Sequence, residues 1–199
     1  MKLKTLLPKQ SYYAIVVTGT PGSGKTTLSK SLARQIHANY LSLTKSVVDK
    51  RLHAGVDQQR RTRVVDLDRT RAWLRRSLHE TQVVTVIDTH IPDAVPRECV
   101  RKVIVTRCHP TVLERRLRKK GWRTTKVREN VLAEILDSCY VIAREYHGAS
   151  KTVQVDNSQA GIRKTVNECM ALLKGKSPVK RRFDWIAVLD RRVLERYMR

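Results

Sequence analysis

Residues Gly19–Thr27 read GTPGSGKTT and match the spacing G-x-x-x-x-G-K-[ST]. What flanks this run constrains the fold more than the run itself. Before it, Tyr12–Thr18 is a continuous apolar, β-branched stretch of the kind that makes a strand buried on both faces. After it, Thr26–His37 places Leu28, Leu32, Ala33 and Ile36 at helical spacing. Strand, glycine-rich loop and helix in that order is the context in which such a loop cradles phosphate. Gly22 and Gly24 can take positive φ, which lets backbone N–H groups converge on phosphate oxygens, and the helix N-terminus adds its partial positive charge. Lys25 is placed to reach the β- and γ-phosphates and Thr26 to offer a hydroxyl to Mg2+, with Ser23 and Thr27 completing the loop. A glycine-rich turn that binds nothing is the competing reading. Having strand, loop, Lys-Thr-Thr and helix all in place argues against it.

The rest of the chain repeats the alternation. Tyr40–Leu43, Val83–Asp88, Arg101–Thr106 and Thr152–Val155 read as strands. Pro110–Lys120, Lys126–His147 and Gln159–Lys174 read as helices. Apolar strands alternating with helices predict an α/β fold, a parallel sheet covered by helices on both faces. A length of 199 residues suits one domain that buries its own core without disulfides or a structural metal. Asp88 ends an apolar strand, where a phosphate-loop protein keeps the carboxylate that holds Mg2+, partly through water. An Asp capping the next turn is the plainer alternative. His90, two residues on, is open between orienting water or phosphate and a structural role.

Lys and Arg total 41 against 18 acidic residues, a formal net charge of +23. So large an excess favours association with polyanions and is silent about fold. Three stretches, 45–76, 101–130 and 176–199, hold 29 of the 41 cations, mostly outside the expected strands. No apolar run approaches the roughly 18 residues of a membrane span, and MKLKTLLPKQ lacks the apolar core of a signal peptide. Cys99, Cys108, Cys139 and Cys169 form no C-x-x-C pair and read as reduced thiols. A zinc set of Cys99, Cys108, His109 and Cys139 lacks paired-ligand spacing. The expectation is a cytoplasmic protein, neither secreted, membrane-embedded nor built on disulfides.

A phosphate loop alone leaves GTPases, motor ATPases and small-molecule kinases open. No Asn-Lys-x-Asp guanine signature is present. The stretch between the loop helix and the Asp88 strand is long enough to hold an inserted acceptor lobe. The basic segment Leu117–Arg128 joins two helices where a lid would close, and a kinase needs such a lid to keep water from the transferring phosphoryl group. The plainer reading of that segment is a solvated helix face.

At this point the loop GTPGSGKTT, the triplet Asp88-Thr89-His90 and the run RLRKKGWRTTKVRENVLAEIL from Arg116 to Leu136 together resemble the atypical adenylate kinases of the isoenzyme-6 type. The likeness runs from about Tyr12 to Lys174. It implies a phosphate-loop nucleoside monophosphate kinase domain over residues 1–175, with an acceptor-binding lobe near 42–65 and a short lid near 119–129. It implies ATP plus AMP giving two ADP, an accompanying ATPase activity, and a part in small-ribosomal-subunit maturation with a ribosomal protein and rRNA as partners. By similarity, ATP contacts fall on Gly22, Ser23, Gly24, Lys25, Thr26 and Thr27, and on Lys120 and Arg123 in the lid; Lys25, Asp88 and His90 would serve catalysis. Relatives commonly carry Arg where this chain has Lys120, Arg where it has Val48, and Tyr where it has Thr89. Lys45, Arg51 or Arg63 would then have to clamp the monophosphate. Two other readings stay open: a ribosome-assembly ATPase with incidental kinase activity, and a nucleotide-gated RNA-binding module. The basic tail, 176–199, carries Phe183, Trp185, Ile186, Val188 and Leu189 and is expected to dock. It serves either RNA contact or as a helix packed by Trp185, Ile186 and Leu189 beneath a solvated basic face.

Overall fold

The computed structural model describes residues 13–57, 62–159, 161–177 and 183–198. Strand β1 (Ala14–Thr18) leads to helix α1 (Lys25–Gln35), β2 (Asn39–Ser42), α2 (Leu43–Asp49), β3 (His53–Asp57), β4 (Thr62–Val65) and α3 (Leu67–Thr81). The second half runs β5 (Thr85–Asp88), β6 (Val100–Arg107), α4 (Pro110–Lys119), α5 (Thr124–Ile135), α6 (Ser138–His147), β7 (Thr152–Asp156) and α7 (Ile162–Leu173). Two short helices follow, α8 (Trp185–Val188) and α9 (Arg191–Met198). The expected start of the first strand at Tyr12 lies outside the described residues, as do 58–61 of the acceptor stretch and 178–182 of the tail.

Five strands form one parallel sheet in the order β2-β5-β1-β6-β7, while β3 and β4 pair antiparallel in a separate hairpin. The continuous apolar run of β1 is explained by its two faces. Ala14 and Val16 join Ile87, Val103 and Val105 in one core, closed by Leu43 and Val47 of α2, Leu74 and Leu78 of α3, and Ala143 of α6. Ile15 and Val17 point the other way, to Val86, Ile104 and Val155, under Leu28 and Leu32 of α1 and Val166, Cys169 and Leu172 of α7. Each fully buried Leu or Ile in these layers contributes about 1.5–3 kcal/mol. The doubly covered parallel sheet expected from the alternation is therefore what forms, and it is a phosphate-loop NTPase architecture.

Several elements differ from the sequence expectation, which gave the stretch holding α2 and the β3–β4 hairpin only as an acceptor lobe. The helix expected over Lys126–His147 is two helices, broken at Asp137, which takes left-handed φ of 55°. Glu134 before the break and Asp137 at it both pair with the buried guanidinium of Arg107. The helix expected from Gln159 begins at Ile162. Helix α3 was not expected at all. Its charge-dense sequence masks Thr70, Leu74 and Leu78, the buried stripe, and Asp66, whose side chain caps the helix by accepting from Arg69 N–H at 3.0 Å.

The C-terminal segment forms a third core with the α4–α5 hairpin. Phe183, Trp185 and Tyr197 bury against Cys108, Leu113, Leu117, Val127, Val131 and Ile135, with Leu189 packed at the margin. Of the residues expected to seat the tail, Trp185 and Leu189 do so. Ile186 instead keeps 49% of its surface exposed and Val188 51%, because a single turn of helix can turn only one face inward.

Candidate nucleotide site

The sheet register assembles the site at the carboxyl edge of the strands, where open α/β sheets bind ligands. Val17 pairs with Asp88 across β1 and β5, and Ser42 pairs with Asp88 across β2 and β5. Asp88 thus arrives beside the first turn of α1, and Thr26 Oγ1 donates to its Oδ2 at 2.6 Å. Tyr40 from β2 donates to the same oxygen at 3.2 Å. The other oxygen, Oδ1, is buried and has no hydrogen-bond partner. A buried carboxylate oxygen without a partner, next to a hydroxyl, is the donor set a hard divalent cation takes, so Thr26 and Asp88 fit Mg2+.

The loop is held from four directions. Ser23 N–H donates to Thr20 C=O at 3.0 Å, the bond that folds the loop on itself. Ser23 Oγ shares a hydrogen with Thr106 Oγ1 at 2.6 Å, so both the hydroxyl and the N–H of Ser23 shape the loop. Asn157, just past β7, donates from Nδ2 to Ser23 C=O at 2.7 Å. Thr20 Oγ1 donates to Glu134 Oε2 at 2.6 Å. From α4, Leu117 and Leu113 lie so near Gly22 that a Cβ there would stand 2.7 Å and 2.9 Å from their side chains. A Cβ on Gly24, whose φ is +92°, would meet Asn157 Nδ2 at 2.2 Å. The glycines are thus required by crowding as well as by φ.

Burial draws the Lys25 ammonium below its usual range, the Asp88 carboxylate works against this, and Lys120 adds to the lowering. An ammonium held in that state gains when a phosphate replaces its lost water. His90 keeps an exposed edge in a crowded cleft. Desolvation and then Lys25 pull its pKa below the ordinary histidine value, with Asp88 opposing, which favours the neutral imidazole. Burial raises the Cys139 thiol to about 11 and Cys108 to about 12, which keeps both protonated.

Past Asp88, α2, the β3–β4 hairpin and the turn after β5 border an open cavity of about 210 Å3. Its walls are Val47, Val48, Val65 and Ile91, with Arg63 and His90 among its polar groups. Of the three cations expected to hold a monophosphate, Arg63 lines the cavity, whereas Lys45 and Arg51 are exposed and are not among its lining residues. Lys120 and Arg123 lie exposed on the turn between α4 and α5, and Thr27 is exposed on α1. Tyr40, Thr106, Glu134 and Asn157 were not anticipated. Only the third dimension brings them to the loop, although Asn157 at the end of a β-branched strand is a position where such a contact can be sought.

Comparison with known proteins agrees with this geometry. Residues 15–137 match the family model described as an AAA domain. A protein of Pyrococcus abyssi named "Putative adenylate kinase" is 34% identical over 179 residues, covering 88% of this chain and 93% of its own length. One of the same name from Saccharolobus solfataricus is 35% identical over 158 residues, covering 78% and 81%. Among solved structures, shikimate kinase from Acinetobacter baumannii superposes with a TM-score of 0.56 at 15% identity, covering 83% of this chain and 95% of the other. A gluconokinase from Sinorhizobium meliloti gives 0.52 at 17% identity, covering 84% and 94%. These two likenesses concern the fold. With its phosphate loop, its Thr26–Asp88 pair and a family model matched over most of its length, the chain belongs to the AAA-domain family of phosphate-loop proteins, and the two archaeal proteins are its relatives by sequence.

Proposed function

We propose that this protein is a nucleoside monophosphate kinase of the adenylate kinase type, moving the γ-phosphoryl group of ATP to AMP and giving two ADP. The observation that carries the reading is that the Thr26–Asp88 pair and the Arg63/His90 cavity both lie where β5 ends, which suits a donor loop beside an acceptor space. The relatives' name supports the same acceptor. In this reading Gly22, Gly24, Lys25, Thr26 and Thr27 present the loop to the donor phosphates, and Ser23 holds the loop's shape. Thr26 and Asp88 hold Mg2+, which when bound supplies charge neutralisation at the phosphates. Lys25 stabilises charge on the transferring group, and Lys120 or Arg123 closes over it from the turn above. Arg63 orients the acceptor phosphate, while His90, neutral, acts through hydrogen bonding. No side-chain nucleophile is required, because the acceptor phosphate attacks in line.

The isoenzyme-6 resemblance extends the proposal to an accompanying ATPase activity and to small-subunit maturation with ribosomal protein and rRNA. The net charge of +23 supports a polyanionic setting for it. The test is nucleotide turnover by the pure protein with Mg-ATP, with and without AMP. Two ADP formed for each AMP consumed establishes the kinase. Phosphate release indifferent to AMP but stimulated by ribosomal RNA or protein would replace it with the ribosome-assembly ATPase. Among the described residues, no helix is long and apolar enough to cross a membrane.

A further inference from the structure

Glu134, in the last turn of α5, is 2% exposed and its carboxylate accepts four hydrogen bonds. Its Oε2 accepts from Thr20 Oγ1 at 2.6 Å. Its Oε1 accepts from Arg107 Nε at 2.8 Å, Cys108 N–H at 3.1 Å and Trp185 Nε1 at 3.3 Å. Arg107, itself 1% exposed, also donates to Asp137, to Gln154 and to Phe183 C=O. Its guanidinium lies 5.4 Å and 5.7 Å from the ring centres of Phe183 and Trp185. One buried carboxylate therefore joins the phosphate loop, the end of β6, helix α5 and the C-terminal segment.

We propose that Glu134 is a positioning residue of the nucleotide site, and that Trp185 and Phe183 make the C-terminal segment part of the same device. The grip falls on Thr20, whose C=O accepts the Ser23 N–H that folds the loop. Fixing Thr20 fixes the direction of the amides that follow it, and phosphate binding by amides depends on their orientation before the ligand arrives. Arg107 balances the carboxylate charge, so a negative group stands behind the loop without repelling the phosphates in front of it. The buried pair adds a second property. A partly satisfied network of this kind is costly, so Trp185 cannot leave Glu134 without altering the group that holds Thr20. The inference rests on the loop binding a nucleoside triphosphate.

Thr20→Val keeps the side-chain shape and removes the donated bond from the loop side, leaving Glu134 paired with Arg107. Trp185→Phe keeps an aromatic ring but removes the N–H together with part of the indole, so thermal unfolding reports the packing loss and Mg-ATP affinity the effect on the loop. Mg-ATP affinity by calorimetry, KM for ATP and AMP, and thermal unfolding are measured for both and for the unaltered protein. The expected result is about tenfold weaker Mg-ATP binding for Thr20→Val and about threefold for Trp185→Phe, the scale of one and of a fraction of one buried hydrogen bond. KM for AMP should stay within about twofold, since the acceptor cavity lies elsewhere. Unchanged Mg-ATP affinity in both variants, whether or not the unfolding temperature falls, overturns the inference and leaves the nucleotide reading intact. Failure of the unaltered protein to bind Mg-ATP overturns the nucleotide reading itself.

Discussion

The proposed reading gives the cleft a donor side and an acceptor side, and the two are built to different standards. On the donor side, Thr20, Ser23 and Thr106 are at most 1% exposed, and hydrogen bonds reach the loop from β6, α5 and the end of β7. On the acceptor side, the walls are a seven-residue helix and a two-stranded hairpin, with Val48 39% and Val64 51% exposed. The contrast has a physical cause. Charge develops on the transferring phosphoryl group, and stabilising it demands donors already aimed, so rigidity serves the donor loop. An acceptor must enter, be enclosed and leave as product, and elements that move in this way are drawn from the less stable part of a fold. The α4–α5 turn shares both characters: its tip, Lys120 to Arg123, is exposed while its base is locked to the loop through Leu117 and Glu134.

Four changes test how real that difference is. Lys25→Met should have the largest effect, lowering turnover by about 1,000-fold with thermal unfolding little changed, as measured by steady-state kinetics and calorimetric unfolding. An effect below about tenfold would mean the loop does not face the reacting phosphates. Trp185→Ala should cost about 3–5 kcal/mol and lower the unfolding temperature by roughly 10 °C. Val64→Ala on the exposed hairpin should cost less than about 0.5 kcal/mol, and equal losses in the two variants would erase the contrast. Arg63→Ala should raise KM for the acceptor about tenfold and leave Mg-ATP affinity unchanged, because the cation lines the proposed acceptor cavity. A change in Mg-ATP affinity instead would place Arg63 on the donor side.

The smallest effect concerns pH. The folded pKa of His90 lies below its ordinary value, so between the two the unfolded chain binds more protons. The group's contribution is therefore neutral above about pH 6.5, and stability is lost as pH falls from there through the folded pKa. NMR titration should show His90 titrating below about 6.5 in the free protein. Bound Mg-ATP, by answering the Lys25 charge, should move it upward; a downward move would contradict the shared electrostatics of the two residues.

How much of this was legible beforehand varies by element. The strand–loop–helix unit was readable because each part signals locally: β-branched residues for β1, glycines for the loop, Leu28 and Leu32 for α1. Asp88 was readable because a carboxylate ending an apolar strand has few local uses. Helix α3 was missed although Asp66, Leu74 and Leu78 carried the signal, since charges occupy most of its other positions. The break at Asp137 was hard to read: Asp tolerates left-handed backbone, but the apolar period runs up to it through Val131 and Ile135, and its partner Arg107 lies 30 positions away. Among the acceptor cations, composition offered three candidates, and only the path of the hairpin separated Arg63 from Lys45 and Arg51.

The amino-acid order alone determined that a phosphate cradle would sit between a buried strand and a helix, since backbone freedom at glycine and apolar periodicity act over a few residues. What holds that cradle was decided only when the chain closed on itself. Thr20 and Glu134 are 114 positions apart. A hydrogen bond is directional and only a few ångströms long, so no local pattern can announce a partner that the sheet and two helices must first carry into place.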